Sequence, residues 1–480
     1  MTAIDTGSAD AAPAPSGVLD LVVRGGTVVT ADGESLADVG VHDGVVVQLG
    51  GPMTGAREID ARGLLVLPGG IDMHVHLEPT DVDRSTPVWA DDFASGSQAA
   101  AAGGITTIGD MVFPEPGELP LASIERMAAD AARVSVVDFV LHPVLLDPTP
   151  EVVGQIPELA RLGHTSIKVF TVAGDFGARA GDYLTAIAEA GRNGVLSMVH
   201  CEDSALVEHA TAALVAEGRG GLEHFAETRP AASEWSAVSR VAAFAETVGA
   251  PVYLVHLGGA RALGAARDAQ ARGVPVWLET RPLYLHFTRE VFAGPDGPLF
   301  VGEPPIGTAT DSAALWAGLA AGHVHTVCTD HAPWTREHKL DPDQTVATAR
   351  PGVSDLETML PMLFDRGVGT GRLTRQRFVE VTSTNAAKLF GMFPRKGTVA
   401  VGSDADLAIW DPHRSRTVDG STGFSRAGYS LHDGWTTQGW PVTTISRGQV
   451  VYDADRPRGQ QITAPPGSGR LLHRGPTRSL

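Results

Sequence analysis

The chain has 480 residues, 43% of them hydrophobic, which is enough for two domains with a large buried core. Its formal net charge of -19 argues against nucleic acid as a partner, because such a partner needs a basic surface that neutralises phosphates. The chain has only two cysteines, no apolar run of the roughly 18 residues that a membrane helix needs, and no signal-peptide pattern at its start. We therefore expect a cytoplasmic protein without membrane contact.

The chain begins with a stretch rich in Ala, Pro and Ser. Residues 1–17 read MTAIDTGSADAAPAPSG, a composition that predicts a disordered tail. Residues 18–67 are rich in Val and are punctuated by Gly and Asp, which is typical of antiparallel strands and hairpins. We expect this second segment to be the first part of a small β-sandwich.

Residues 68–395 alternate short apolar runs with Ala-rich stretches, the pattern of βα units around a parallel sheet. The predicted strands are 70–76, 105–111, 134–142, 165–170, 195–200, 251–256, 274–280 and 325–330. The predicted helices between them include 91–102, 121–133, 182–193, 235–248, 260–272 and 312–321. Eight such units predict an α/β protein whose central domain is a closed (β/α)8 TIM-like barrel.

After the barrel, residues 396–464 return to Val-rich segments separated by Gly and Asp turns. They predict the second part of the β-sandwich, so that this domain is built from both terminal regions. Residues 465–480, PPGSGRLLHRGPTRSL, are basic and rich in Gly and Pro. We expect a solvated tail there, and a strap across a neighbouring subunit is the alternative.

Side chains suited to bind metal lie at the ends of predicted strands: His74, His76, Lys168, His200, His256 and Asp330. His74 and His76 are two residues apart on one strand, so both point to the same face and can bind one ion. Imidazoles with a carboxylate favour zinc or a similar divalent ion. Because catalytic groups in such barrels lie at the C-terminal ends of strands, the pattern predicts a dinuclear metal site. Asp72, Asp110 and His331 are candidates to orient the histidines.

Ordered motifs along nearly the whole chain carry a resemblance to a known family. They include PGGIDMHVHLE, SIKVF, MVHCED, VYLVH, VCTDHAPW and NAAKLFGMF. With them the chain resembles the cyclic amidohydrolases of the dihydropyrimidinase/hydantoinase group, within the amidohydrolase superfamily. The resemblance implies that His74, His76 and Asp330 bind one metal, and that His200 and His256 bind the other. It also implies that Lys168 bridges both metals as a carbamate, N6-carboxylysine. Zinc is the first expectation for the two divalent ions, with manganese or cobalt as alternatives.

The same resemblance implies an enzyme that opens the ring amide bond of a small cyclic amide of the hydantoin or dihydropyrimidine type. A hydroxide that bridges the two metals would attack the amide carbon. Asp330 would take the proton of this hydroxide and pass it to the leaving ring nitrogen, first as general base and then as general acid. The resemblance further implies a homotetramer or a homodimer.

Four positions near the expected substrate pocket are candidate substrate contacts. Ala173 stands where this group usually carries a substrate-binding tyrosine, Glu303 where a serine is usual, and Pro351 where an asparagine is usual. Glu78 stands where dihydroorotases carry an arginine that holds the substrate carboxylate. Together, Glu78 and Glu303 would favour a cationic substrate.

Other functions stay open as alternatives at this point. Allantoinase is one, and a ring-opening amidase for another lactam or imide is a second. Dihydroorotase is less favoured because Glu78 would repel the carboxylate of dihydroorotate. A non-catalytic scaffold related to dihydropyrimidinases belongs to a different class of function. Since such scaffolds generally lack the metal ligands and this chain has all six, the sequence favours an enzyme.

Overall fold

The computed structural model describes residues 17–173 and 175–480, so the predicted disordered tail lies outside the described residues except for Gly17. The strands are β1 (Leu19–Thr30), β2 (Gly33–His42), β3 (Val45–Leu49), β4 (Gly55–Asp60), β5 (Leu65–Pro68), β6 (Gly70–Val75), β7 (Ile105–Val112), β8 (Asp138–Pro143), β9 (Ser166–Phe170), β10 (Leu196–His200), β11 (Val252–Leu254), β12 (Val276–Thr280), β13 (Thr326–Val327), β14 (Leu407–Thr417), β15 (Thr436–Ser446) and β16 (Gln449–Asp453). The α-helices are α1 (Phe93–Ala102), α2 (Pro120–Val134), α3 (Pro150–Val153), α4 (Ile156–Arg161), α5 (Ala180–Arg192), α6 (Ser204–Ala216), α7 (Ala231–Val248), α8 (Ala260–Ala271), α9 (Pro282–His286), α10 (Ala309–Ala321), α11 (Arg336–Lys339), α12 (Met359–Leu363), α13 (Arg375–Val379) and α14 (Asn385–Leu389).

The strands from β6 to β13 form the predicted parallel barrel. They pair in the orders β6-β7-β8 and β13-β12-β11-β10-β9, and parallel bridges from Val144 to Lys168 and from Val75 to His331 join the two sheets into a ring. β6, β7 and β8 are buried along their whole length, which is why their apolar residues run without alternation. The barrel prediction is confirmed. The third strand shows the largest shift in its start, from the predicted residue 134 to Asp138, because Val134 belongs to the end of α2. Five further barrel strands begin one or two residues later than predicted.

Local sequence signals set the ends of the helices around the barrel. The Asp92 carboxylate accepts hydrogen bonds from the first turn of α1, and the Ser95 hydroxyl of that turn accepts one from the Asp92 amide in return. Thr308 and Asp311 form the same reciprocal cap on α10. That helix ends at Gly322, whose φ of 83° is a conformation that glycine adopts without strain.

Strands from both terminal regions form a second domain, as predicted. Their order in one sheet is β16-β15-β14-β5-β1-β2-β3, with β4 paired to β1. Val23, Val41, Leu407 and Ile445 belong to a hydrophobic core that is separate from the barrel core. The expected antiparallel pairing holds for most neighbours, but β4 and β5 run parallel to β1. Valine content and turn residues predict strands, and they carry no information about which distant strand becomes the neighbour.

The segment predicted to be a solvated tail instead packs against the barrel, so that expectation is wrong for residues 469–474. The Phe139 amide donates to the Arg470 carbonyl at 2.9 Å, and the Leu472 amide donates back to the Phe139 carbonyl at 2.9 Å. Arg474 is 5% exposed, and its Nη2 donates to Ser166 Oγ at 2.8 Å. The composition misled the prediction because this segment attaches mainly through backbone hydrogen bonds, which any residue except proline can donate.

Within the described ranges, no helix combines the length and the apolar character that crossing a membrane requires.

Candidate metal centre

The structure brings the six predicted ligands together at one end of the barrel. His74 lies on β6, Lys168 lies on β9, and His200 ends β10. His76, His256 and Asp330 follow the ends of β6, β11 and β13. All six side chains are buried, and all six line one cavity of about 120 Å³. The C-terminal ends of the strands therefore hold a single cluster of potential metal ligands.

The distances within this cluster are those of groups that can share an ion. His74 Nε2 lies 3.2 Å from Asp330 Oδ1 and 3.2 Å from Lys168 Nζ, and His76 Nε2 lies 2.9 Å from the same Asp330 oxygen. The ring centroids of His200 and His256 are 4.5 Å apart. Ligand atoms of His74, His256 and Asp330 all lie within 4.8 Å of one another. The predicted ligands of both metals thus face a common centre.

Two of these residues have strained backbones. His256 has a φ of 40° and Asp330 a φ of 50°, in the left-handed region that favours glycine. Such a conformation costs about 1–3 kcal/mol at a residue with a side chain, and it persists only where the surrounding structure enforces it. His256 lies two residues after the end of the short strand β11, and Asp330 lies three residues after the end of β13. The strain therefore indicates that the fold places these two side chains for a function.

Burial sets the protonation of the cluster. It lowers the pKa of His74 and His256 well below the ordinary value, and it also lowers the pKa of His76. Burial likewise lowers the pKa of Lys168 to about 8. At Asp330 burial acts in the other direction, but Arg281 and the two neighbouring histidines outweigh it and hold the pKa well below the usual range. Neutral imidazoles and an ionised carboxylate are the forms that bind metal.

The chemistry of the unpaired atoms fits a divalent metal ion. His76 Nδ1 and His256 Nδ1 are buried and have no hydrogen-bond partner within the described residues. Buried polar atoms are normally paired, and a bound ion is one of the explanations for an exception. Glu279 Oε1 lies 2.8 Å from His74 Nδ1, and Glu202 Oε2 lies 2.8 Å from His200 Nε2. These two carboxylates are positioned as the hydrogen-bond partners that orient metal-binding histidines usually are.

The residues predicted to orient the histidines hold backbone and other groups instead. Asp72 accepts from the Thr329 hydroxyl at 2.6 Å and from the His74 amide at 3.1 Å. Asp110 accepts from the Leu77 amide at 2.8 Å, and His331 Nε2 lies 2.9 Å from Asp91. The orienting carboxylates are therefore Glu279 and Glu202, which the sequence reasoning missed. The only available signal was that each lies at or just after the end of a barrel strand.

A buried arginine beside Asp330 was also missed. Arg281 is 0% exposed, and its Nη1 lies 2.9 Å from Asp330 Oδ2. Its Nε donates to the Thr329 carbonyl at 3.0 Å, which fixes the guanidinium from a second side. Asp330 is thus held by one oxygen, while the other oxygen faces His74 and His76.

Of the four predicted substrate contacts, two line the cavity and two do not. Glu303 and Pro351 are lining residues. Glu78 is turned to the Trp89 amide, from which it accepts a hydrogen bond at 3.2 Å, and Ala173 is exposed. Glu303 forms an ion pair with Arg229. The expectation that Glu78 and Glu303 together favour a cationic substrate therefore loses its basis, because one lies outside the lining and the other is already paired.

The remaining lining residues are mostly apolar or aromatic. Beside the six ligands, Glu303 and Pro351, they are Trp89, Phe113, Phe170, Ala332 and Gly352. The rings of Trp89 and Phe113 lie 4.9 and 5.9 Å from that of His76, measured between centroids. A polar floor of ligands under aromatic walls is typical of a site that binds a small planar molecule.

Comparison with known proteins gives three consistent results. Residues 65–451 match the sequence profile of the Amidohydrolase family. The chain is 38% identical to a D-hydantoinase of Rhizobium radiobacter, over 91% of this chain and 95% of that protein, and 36% identical to a D-hydantoinase of Ralstonia pickettii, over 95% and 99%. The solved structure of a dihydropyrimidinase from Brevibacillus agri is similar with a TM-score of 0.89 and 32% identity, over 96% of this chain and 99% of that one.

Proposed function

Since this chain belongs to the amidohydrolase family, we propose that it hydrolyses the ring amide bond of a small cyclic amide of the hydantoin or dihydropyrimidine type. It is a metal-dependent cyclic amidohydrolase, as its similarity to D-hydantoinases and to a dihydropyrimidinase indicates. The observation that carries the proposal is the convergence of six buried ligand side chains on one small cavity.

The metal ions would be held by the residues that face this cavity: His74, His76, Lys168, His200, His256 and Asp330. We propose zinc as the native metal, with manganese or cobalt as alternatives, because imidazole and carboxylate donors suit these ions. When bound, a pair of divalent ions lowers the pKa of water and polarises a carbonyl oxygen. The Nε2 atoms of His74 and His76, which both face Asp330 Oδ1 at 3.2 and 2.9 Å, support this assignment.

We propose that Lys168 carries a carbamate. A free ammonium offers only donors, whereas the neutral amine can add to CO2 and lose a proton to give a carboxylate with two acceptor oxygens. Burial lowers the pKa of Lys168 to about 8, which favours the neutral amine. Its Nζ lies 3.2 Å from His74 Nε2, where a carboxylate oxygen would reach the ligand cluster. A ¹³C signal from the intact protein after incubation with labelled bicarbonate would support the carbamate, and its absence in metal-loaded protein would refute it.

Asp330 is the group placed to move a proton in the reaction. Its low pKa keeps it ionised at neutral pH, so Oδ1 can accept a proton from the attacking water and return it to the leaving ring nitrogen. Arg281 holds Oδ2 and so limits the rotation of the carboxylate between these two steps. The aromatic walls of Trp89, Phe113 and Phe170 would hold the faces of a planar ring and exclude bulk water.

A panel of cyclic amides tests the proposal directly. Zinc- or manganese-loaded enzyme is incubated with hydantoin, dihydrouracil, a 5-aryl hydantoin, allantoin and dihydroorotate, and ring opening is followed for each. We expect turnover of the hydantoins or of dihydrouracil, and an Asp330→Asn variant that still binds metal should lose it. Preference for allantoin or dihydroorotate, or no turnover with two metals bound, would contradict the proposal.

We further propose a cytoplasmic homotetramer or homodimer, which the resemblance to the dihydropyrimidinase/hydantoinase group implies. Light scattering of the metal-loaded protein measures its mass in solution. A monomer across the working concentration range would contradict the assembly.

A further inference from the structure

A second and larger cavity lies next to the one that contains the metal ligands. The side cavity, as we call it, has a volume of about 360 Å³, and its lining includes Glu202, Arg229, Glu234, Pro304 and Asp311. The catalytic cavity measures only about 120 Å³. Pockets that bury a substituted, drug-sized ligand usually measure roughly 300–1,000 Å³. The catalytic cavity alone is therefore small, and the side cavity has the volume that a ring substituent would need.

The two cavities meet at an ion pair. Glu303 lines the catalytic cavity, Arg229 lines the side cavity, and the Arg229 Nη2 group contacts the Glu303 carboxylate. Arg229 is itself anchored from behind, because its Nη1 lies 2.6 Å from Glu202 Oε2. Glu202 in turn contacts His200. The wall between the cavities is thus tied to a metal ligand.

The backbone on both sides of Glu303 is fixed, so its side chain is the part of the wall that a substitution can remove. The buried Lys339 ammonium donates to the carbonyls of Val301 and Gly352, at 2.7 and 3.0 Å. The Tyr284 hydroxyl donates to the Pro304 carbonyl at 2.7 Å. Shortening residue 303 should therefore leave the loop in place and open a passage.

A smaller residue at position 303 would also leave Arg229 with a partner. Glu202 is 1% exposed and keeps its contact with the guanidinium when Glu303 is absent. Breaking a buried pair is costly when it leaves an unpaired charge, and that case does not arise here. The wall can thus be opened without leaving an unpaired buried cation.

We infer that Glu303 determines substrate specificity by size: with Arg229 it closes the wall to the side cavity and so limits the enzyme to cyclic amides with a small or no ring substituent. This inference rests on the proposed function, and it specifies which cyclic amides the enzyme accepts. The side cavity would take the substituent of a larger ring once the wall is opened.

Substitutions at position 303 distinguish the effect of side-chain size from the effect of side-chain charge. Glu303→Ala and Glu303→Ser remove most of the side chain, whereas Glu303→Gln keeps its length and can still accept a hydrogen bond from Arg229. Glu227→Ala is the matched control, because Glu227 lines the same side cavity but pairs with Arg219 outside the wall. Metal content and thermal unfolding are measured for each variant, so that only folded and metal-loaded proteins are compared.

The measured quantity is the ratio of kcat/KM for a 5-aryl hydantoin to kcat/KM for unsubstituted hydantoin. We expect the Ala and Ser variants to raise this ratio about tenfold or more, mainly through a lower KM for the aryl substrate, as pocket contacts of this size typically do. The Gln variant and the Glu227→Ala control should keep the wild-type ratio. An unchanged ratio in both shortened variants, or an equal rise in the Gln variant or the control, would overturn the inference.

Calorimetric titration of the same proteins with the two hydantoins distinguishes this inference from the proposed function. If no protein turns over any ring, the proposed function fails, and the ratio of the two binding affinities still tests the wall. A gain of aryl binding in the Ala variant would then support the size limit. Equal ratios in all variants, or no binding of either ring, would overturn it.

Discussion

Two buried lysines have different surroundings and therefore different roles. Lys168 lies at the mouth of the barrel, and Lys396 lies where the barrel meets the terminal sheet. Lys396 is 1% exposed, and its ammonium contacts Asp138 at 2.8 Å, Asp404 at 3.1 Å, and Asp406. Lys168 is 0% exposed, and its Nζ contacts a histidine nitrogen and lies 4.8 Å from the centre of the Phe170 ring. Among the described residues, no carboxylate forms an ion pair with Lys168.

The difference teaches that burial alone does not mark a functional lysine. The three aspartates around Lys396 lie close enough together to resemble a metal site, but the Lys396 ammonium already pairs with all three and Arg447 pairs with Asp138 as well. That cluster joins the barrel to the terminal sheet and acts in stability. Lys168 lacks such neutralisation, so its ammonium form is the costly one and its amine is available for chemistry.

Replacement of Lys168 is the strongest test of the difference between the two lysines. We expect Lys168→Met to lower kcat/KM at least about 1000-fold, because metal ions contribute several kcal/mol to the stabilisation of the transition state and the variant lacks the side chain that we propose as their bridging ligand. Metal content per chain, measured by mass spectrometry of the purified protein, should fall in parallel. Full metal loading with near-normal turnover would show that Lys168 is only a buried structural residue.

Replacement of Lys396 should have the opposite effect, a loss of stability without a loss of metal. Lys396→Met removes the buried cation that contacts all three carboxylates, although Asp138 keeps its pair with Arg447. Removal of one partner from a buried ion pair costs about 3–5 kcal/mol. We expect a loss of that size in the free energy of unfolding, measured by urea denaturation, with metal content per folded chain unchanged. A stable variant, or one that loses metal while it remains folded, would mean that the two lysines do not divide the roles as described.

The pH dependence of stability gives a smaller and finer test. In metal-free and CO2-free protein, the pKa of Lys168 is about 8, below its ordinary value of 10.5, because burial disfavours the ammonium. Between these two values the unfolded chain binds a proton that the folded chain does not bind, so the free energy of unfolding rises with pH through this window. Below about pH 8 both states are protonated and the full cost of burial is present.

Urea denaturation of wild type and Lys168→Met at about pH 7.5 and about pH 9.5 isolates this contribution. We expect the wild type to gain roughly 2 kcal/mol relative to the variant, since each pH unit within the window contributes about 1.4 kcal/mol. A constant difference between the two proteins would mean that Lys168 titrates normally in the fold, contrary to the comparison.

The sequence predicts those parts of the molecule that depend on short-range pattern. Segments of six to nine residues place every barrel strand, and His74 and His76 are recognisable because a strand repeats every two residues. Lys168 is recognisable only through the SIKVF motif. In each case the signal lies within a few residues of the position that it predicts.

What the sequence does not predict depends on contacts between distant segments. Arg281 and Asp330 are 49 positions apart and Arg229 and Glu303 are 74 apart, and no local pattern joins either pair. Glu78 was expected to face the substrate, but its carboxylate caps the Trp89 amide 11 residues further on. The direction of a side chain at a loop depends on which neighbour the folded loop supplies.

The segment that packs under the barrel also bears on how this protein can be recombined. Residues 469–474 follow the last strand of the terminal sheet, and yet Leu472 belongs to a hydrophobic cluster inside the barrel and Arg474 donates to Ser166 on a barrel strand. The barrel is therefore not a contiguous stretch of the gene. A chimaera that exchanges only residues 68–395 between relatives would combine the barrel of one protein with residues 469–474 of the other. A transferable catalytic module must therefore include both segments.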